Sequence, residues 1–289
     1  MSDGGSLVNI GELAKPATVL IEKISGAVGA IFEPHQIRRI AHARADAAVI
    51  EAEGQIRVTE VQRRAMVRFV QEEGQKQENI ESITSKAIPH LDDNADPNTV
   101  DDDWITNFFD KCRIISDDEM QQLWGRVLAG EANSPGTYSR RTVSALASLD
   151  KSDAIAFSSL CCCGWLIGDV TPLVYKVQDP VYSSAGITFM SLTHLDAIGL
   201  VRFESLAGFR REGFGKRLLA VYFGSPVIIE FPNESDNNID IGHAMFTQIG
   251  RELARIVAAK RSEELFQYTL EHWRENGLVL SSPLPQRAS

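Results

Sequence analysis

The sequence is poor in the features from which chemistry is usually read. Of its 4 cysteines, three stand in a row, Cys161-Cys162-Cys163, with Cys112 apart. That spacing builds no disulfide framework and suits a reducing compartment. The apolar stretch Pro16 to Phe32 is interrupted by Glu22 and Lys23 and falls short of the roughly 20 clean residues a membrane-crossing helix needs. The opening MSDGGSLVNIGELAKPATVL has no basic segment followed by an apolar one, so secretion is not expected. Positive charge is scarce: 29 Lys and Arg face 39 Asp and Glu, a net charge of −10. Non-specific nucleic-acid binding is therefore disfavoured, because phosphate neutralisation needs clustered basic residues.

Catalytic and ligand motifs are equally thin. No Gly-x-Ser-x-Gly occurs, and Cys112 has no histidine partner in sequence. FGKRLL and SGAVGA lack the spacing of a phosphate loop. His194, His243 and His272 form no His-x-x-x-His or Glu-x-x-His pair. Asp196 lies two residues from His194, and helix neighbours at that spacing do not face each other. Asp92-Asp93 and Asp101-Asp102-Asp103 lack the ligand spacing and glycine of a calcium loop, which leaves them as solvated linker charge. Read as one helix, the cysteine triplet points its thiols about 100° apart, so they cannot converge on a single ion. With Phe157, Leu160, Trp165 and Leu166 around them, core packing is the better reading. No catalytic residue, cofactor or metal is expected, and the chain reads as non-enzymatic.

What is present is a chain of 289 residues at 44% hydrophobic content, enough for a sizeable core and about two domains. Apolar positions at three- and four-residue steps predict a helix over 7–32, bent at Pro16. A second, long helix follows from His35 to about Ala87, with a spine of Ile37, Ile40, Ala47, Val58, Val61, Ala65, Phe69, Ile80 and Ile83. Residues 1–89 thus form a helical hairpin or coiled-coil arm that packs on itself or on another copy. HLDDNADPNTVDDD, residues 90–103, reads as an acidic linker and the main boundary.

Residues 104–180 read as a helical bundle. Trp104, Ile105, Phe108 and Phe109 face inward on its first helix, and a Ser116–Glu119 capping box opens its second, which stops near Gly130. TVSALASL and SDAIAFSSLCCCGWLI are further helices, the last ending near Gly168. Residues 181–289 change character. ITFMSLTHLDAIGLV is a helix closing at Gly199; RFESL, KRLLAVYF and PVIIEF are strands; IGHAMFTQIGRELARIVAAKRSEELFQYTLEHW is helical again. That order fits a winged-helix-like α+β module, and the fold class is mainly α.

Three partners compete. The Gly26-x-x-Gly29 step, followed by Ala41, Ala43, Ala45, Ala47 and Ala48, suits close helix packing, with Ile24, Gly26, Gly29, Ile37, Ile40 and Ala47 as a homo-oligomer interface. A membrane-perturbing effector acting through residues 7–33 is the second reading, although few basic residues or aromatics support it. It would place the cytoplasmic protein in peripheral contact with the inner membrane. Third is a DNA-binding regulator that touches phosphate through Arg210, Arg211, Lys216 and Arg217. The helix that would read bases carries Ser, Thr, one His and Asp196, so intramolecular or protein–protein contact is favoured for that basic patch, with the acidic linker as one counter-charge.

The segment WITNFFDKCRIISDDEMQQLWGRVLAGE, followed by SPGTYSRRTVSALASLDKSDAIAF, resembles the bacterial domain-of-unknown-function 2806 family, and the likeness extends over most of residues 7–260. LAKPATVLIEKISGAVGAIFEP and FTQIGREL are more distantly similar to the abortive-infection alpha family, linked to phage resistance. The resemblance implies a bacterial source and a sensor or effector role in phage defence. It supplies no catalytic residues. The expected function is an oligomeric interaction or scaffold protein with an unidentified protein partner.

Overall fold

The computed structural model describes residues 15–29 and 59–282. The chain divides into two compact units, Met1–Ala147 and Ser148–Ser289. Helix dominates among the described residues, beside a small antiparallel sheet.

In the first unit, α1 (Lys15–Val28) buries Ala17, Leu20, Ile21 and Ile24 at the predicted steps. Pro16 is the second residue of the described helix, and the stretch before it, on which the expected bend depends, lies outside the described residues. Gly29 ends the helix in the left-handed region at φ +68°, its N–H donating to the Ser25 carbonyl at 3.0 Å.

Helix α2 (Glu60–Ala87) starts with a reciprocal cap between Thr59 and Gln62. Only its C-terminal third is buried, through Ile80, Ile83, Thr84 and Ala87. Val61 and Phe69, expected on the buried spine, are 65% and 62% exposed because the unit's core reaches only the last turns. Ion pairs Arg63–Glu60, Arg68–Glu72 and Lys76–Glu73 support the exposed part along the helix. The rest of the expected arm, with Ile37, Ile40 and Ala47, lies outside the described residues.

Residues 90–103 lie inside the first unit and do not separate domains. Pro97 and Val100 are buried, Asp96 caps a short turn, and the last three carboxylates have basic partners: Lys23 holds Asp102, while Arg140 lies 3.1 Å from Asp101 and 3.2 Å from Asp103. Helix α3 (Asp102–Cys112) is capped by Asp101 and buries Trp104, Ile105, Phe108 and Phe109, as expected. Its Trp104 Nε1 donates to the Tyr138 carbonyl at 2.7 Å.

Helix α4 (Asp118–Asn133) corrects two expectations. Asp117, not Ser116, is the N-cap, accepting from the Met120 N–H at 3.0 Å. Gly130 does not stop the helix, which runs to Asn133 and yields at the Pro135-Gly136 turn, where Gly136 has φ +87°. Buried Glu131 pins that turn by accepting from the Gly136 and Tyr138 N–H groups at 2.6 and 2.8 Å. A polar seam registers α2 on α4, where Ser82 donates to Gln121 at 2.6 Å and Gln121 donates to Asn79 at 3.3 Å; Asn79 in turn donates to the carbonyl of Arg113, the C-cap of α3, at 2.9 Å. Helix α5 (Arg140–Ala147) closes the unit, so the bundle ends near 147 and the second unit begins with the helix that follows.

That helix, α6 (Lys151–Cys161), carries an Asp150–Asp153 capping box. The expected continuation to Gly168 is instead β1 (Gly164–Ile167), because Trp165 and Ile167 alternate inward with Leu166 outward, the period of a strand. Gly168, at φ +71°, turns β1 into β2 (Asp169–Pro172). Next come α7 (Pro180–Ser184), α8 (Phe189–Ala197) and β3 (Val201–Phe203). Three antiparallel pairs are then nested within one another. β5 (Arg217–Tyr222) pairs with β6 (Ser225–Glu230); β4 (Phe209–Phe214) and β7 (Asn237–Gly242) enclose them; β3 and β8 (Ala244–Phe246) enclose all four. The expected single C-terminal helix resolves into β8, α9 (Gln248–Ala254) and α10 (Glu263–Glu275), followed by β9 (Val279–Ser281). The main sheet has strand order β2-β1-β5-β6-β9. One core joins its inner face to α10 through Trp165, Tyr222, Ile229, Leu270 and Trp273.

Candidate functional site

In the second unit α7, a four-residue turn and α8 are followed by β3, which pairs with β8. Thr188 caps α8 by accepting from the Ser191 N–H at 3.1 Å. Leu192 and Leu195 face the core, and Gly199, at φ +78°, ends the helix as expected. Opposite them the surface is largely uncharged and partly apolar. Phe189 is 50% exposed and Met190 75%, and Phe189 meets Phe203 of β3 edge-to-face. No Lys or Arg lies on α8 itself.

His194, on the same helix, is tied to the unit's interior. Its Nε2 lies 2.6 Å from Asp153 Oδ1, a nearly buried carboxylate on α6. Burial raises the carboxyl, but the bond from His194 and the N–H of Asp150 outweigh it and hold Asp153 below its ordinary range. Adjacent Asp196 is not the partner, which agrees with the sequence reading. The true partner lies 41 residues away and is identified by the fold alone.

The basic patch is partly committed within the unit. Arg211 donates to the Ile167 carbonyl and lies over the Phe214 ring at 5.9 Å. Lys216 pairs with Glu234 at 3.5 Å, and Arg217 faces Glu230 across β5 and β6 at 3.6 Å. Arg210 is exposed on β4. The counter-charges are therefore local glutamates and a backbone carbonyl, while the acidic 90–103 stretch is answered by Lys23 and Arg140.

The remaining candidates separate as follows. Ile24 is fully buried in its own unit, so it cannot serve as an interface residue without unfolding α1. Gly26 and Gly29 are exposed, with no atom within 4 Å of an added Cβ, leaving their surface open to close approach. The apolar face of α1 is spent on its own core and is not free for lipid. Among the described residues, no helix is long and apolar enough to cross a membrane. Cys161 and Cys163 are buried and Cys162 half-buried, but they straddle the end of α6 and the start of β1 rather than sharing one helix. Burial pushes the Cys161 and Cys163 thiols well up, which suppresses thiolate chemistry.

Sequence reasoning missed a second histidine contact. His272 of α10 stacks on Tyr175 at 3.6 Å, with Asp240 of β7 4.0 Å from its Nε2. Burial holds this imidazole below its ordinary value, partly opposed by Asp240.

No curated protein and no solved structure matches the chain. Residues 63–270 match the profile of the family described as "Protein of unknown function (DUF2806)", and the chain belongs to that family.

Proposed function

We propose that the chain is a non-enzymatic interaction protein whose second unit presents α8 to another protein. The order α6, α7-turn-α8, β3 and β8 supports a winged-helix-like frame, in which α8 holds the position of a recognition helix. A single observation carries the choice of partner: the outward face of α8 offers Phe189 and Met190 and no cation. DNA is read by Arg, Lys, Asn or Gln reaching base edges, while an exposed aromatic and methionine at a helix surface suit a protein contact. A photo-crosslinking amino acid at Met190 tests this. Protein adducts that vanish with Phe189→Asp are expected; adducts to nucleic acid would overturn the reading.

The finer reading, a sensor or effector in phage defence, rests on the more distant likeness of LAKPATVLIEKISGAVGAIFEP and FTQIGREL to the abortive-infection alpha family. It predicts that expressing the protein lowers phage plating and that Phe189→Asp relieves the effect.

A further inference from the structure

The second unit's main sheet packs one face on α10, and its other face is apolar and partly exposed. Alternation along each strand sends Trp165, Ala220, Tyr222 and Ile229 to the core and the intervening residues outward. The outward residues include Val170, Leu166, Leu219, Val221, Pro226 and Ile228, with Leu166 47% and Leu219 55% exposed and the other four half-buried; β9 adds Val279 and Ser281, while Pro172 at the far corner is buried. Antiparallel sheets that face water normally carry polar residues on the solvated side. A contiguous apolar face rimmed by charge marks an interaction surface.

The strand register identifies the partner. Across β5 and β6, Arg217 lies opposite Glu230, Leu219 opposite Ile228, and Val221 opposite Pro226. A two-fold axis parallel to the strands and midway between β5 and β6 exchanges these strands between two copies. Leu219 then meets Ile228 of the other copy, Val221 meets its Pro226, and Arg217 meets its Glu230. The face is thus complementary to itself in both shape class and charge, as a two-fold interface requires. We propose that this apolar sheet face pairs with the same face of a second copy of this chain, closing a two-fold dimer. This goes beyond the α8 reading and assigns a second copy to a surface separate from the N-terminal helices.

The size of the face sets the strength. Strands about 4.8 Å apart and residues about 3.4 Å apart make the four-stranded patch roughly 19 Å by 17 Å, on the order of 300 Å² in projection. A standard interface uses about 800 Å² per partner, so pairing is transient, with dissociation in the micromolar range.

Sedimentation velocity of the full chain from about 1 to 100 μM is the test, with circular dichroism confirming the fold of each variant. The wild type should shift from monomer to dimer over that range, and Leu219→Lys should weaken pairing at least tenfold. Arg217→Glu makes this charged pair wholly acidic and Glu230→Arg makes it wholly basic, so each alone should stay monomeric. An equimolar mixture of the two should restore a dimer. A mixture that remains monomeric while both variants are folded overturns the proposal. So does a wild type that is monomeric at 100 μM. A dimer that survives Leu219→Lys but is lost with Phe69→Asp would assign the interface to α2 and equally overturn it. The Met190 crosslink reads a different surface, so failure here leaves the α8 reading to stand or fall by its own test.

Discussion

Gly26 and Gly130 both lie within helices of the first unit, and replacing each by alanine should move stability in opposite directions. Alanine is favoured over glycine in a helix by about 1 kcal/mol, because the glycine backbone loses more freedom on folding. At Gly26 an added Cβ meets nothing within 4 Å, so most of that gain should appear, about 0.5–1 kcal/mol near the helix end. At Gly130 the same atom would lie 2.7 Å from Tyr138 Cε2 and 3.0 Å from its hydroxyl. The Tyr138 ring cannot swing aside cheaply. It is 3% exposed, its N–H is held by Glu131 at 2.8 Å, and its carbonyl accepts from Trp104 at 2.7 Å. Overpacking of this kind costs typically 1–3 kcal/mol, which offsets the propensity gain and leaves Gly130→Ala destabilised by up to about 2 kcal/mol. Urea denaturation followed at 222 nm should place the Gly26→Ala midpoint above the wild type and the Gly130→Ala midpoint below it, with unchanged slopes. A Gly130→Ala protein as stable as Gly26→Ala would refute the account, since it would mean that the ring gives way freely.

Other outcomes follow from the second unit and the Glu131 turn. Gly242→Ala places a Cβ 2.1 Å from the Val174 carbonyl at φ +81°, so the second unit should lose its cooperative melt or become insoluble. Glu131→Ala strips two bonds from a buried turn and should cost about 3 kcal/mol, read as early amide exchange at Gly136 and Tyr138. His272, held below its ordinary 6.5 by burial, binds a proton more readily when unfolded. Stability should therefore fall as pH drops below about 6.5 toward the folded value, and His272→Phe should flatten the urea midpoint across that window. Asp153 acts lower on the scale: its folded carboxyl is depressed, so its contribution is present above about pH 4 and lost as pH falls through the folded value. Asp153→Asn should remove that acid sensitivity, and the His194 ring resonances, read by nuclear magnetic resonance at one fixed neutral pH, should move as the contact is lost.

Elements governed by local periodicity were legible in the sequence. Trp104, Ile105, Phe108 and Phe109 recur at helical steps and all four are buried. KRLLAVYF and PVIIEF became β5 and β6, and the helix predicted to close at Gly199 does so. Long-range partners overrode local cues elsewhere. Asp92 to Asp103 looks like solvated linker until Lys23 and Arg140 approach from elsewhere in the chain. GWLI is apolar enough for a helix end, and only its pairing with β2 and β5 makes it a strand. β4, FRREGF, carries too little hydrophobic alternation to reveal itself, because β7 supplies its pairing. The same limit hid the Asp153–His194 contact, while the near-absence of cations on α8 was readable from the start.

The nesting of three strand pairs gives the second unit an order of assembly. Closing β3 onto β8 directly would restrict a loop of about 40 residues, roughly 2 kcal/mol costlier in chain entropy than closing a four-residue turn. If β5 and β6 meet first through the two-residue turn Phe223-Gly224, the free length left for β4 and β7 shrinks, and their closure shortens the last step in turn. Folding of this unit should thus run as a zipper outward from that turn. Phe223 sits there at φ +44°, a conformation that asparagine or glycine adopts more readily than a bulky side chain. The zipper starts at a residue poorly suited to starting it, so Phe223→Asn should speed refolding of the unit, as read by tryptophan fluorescence.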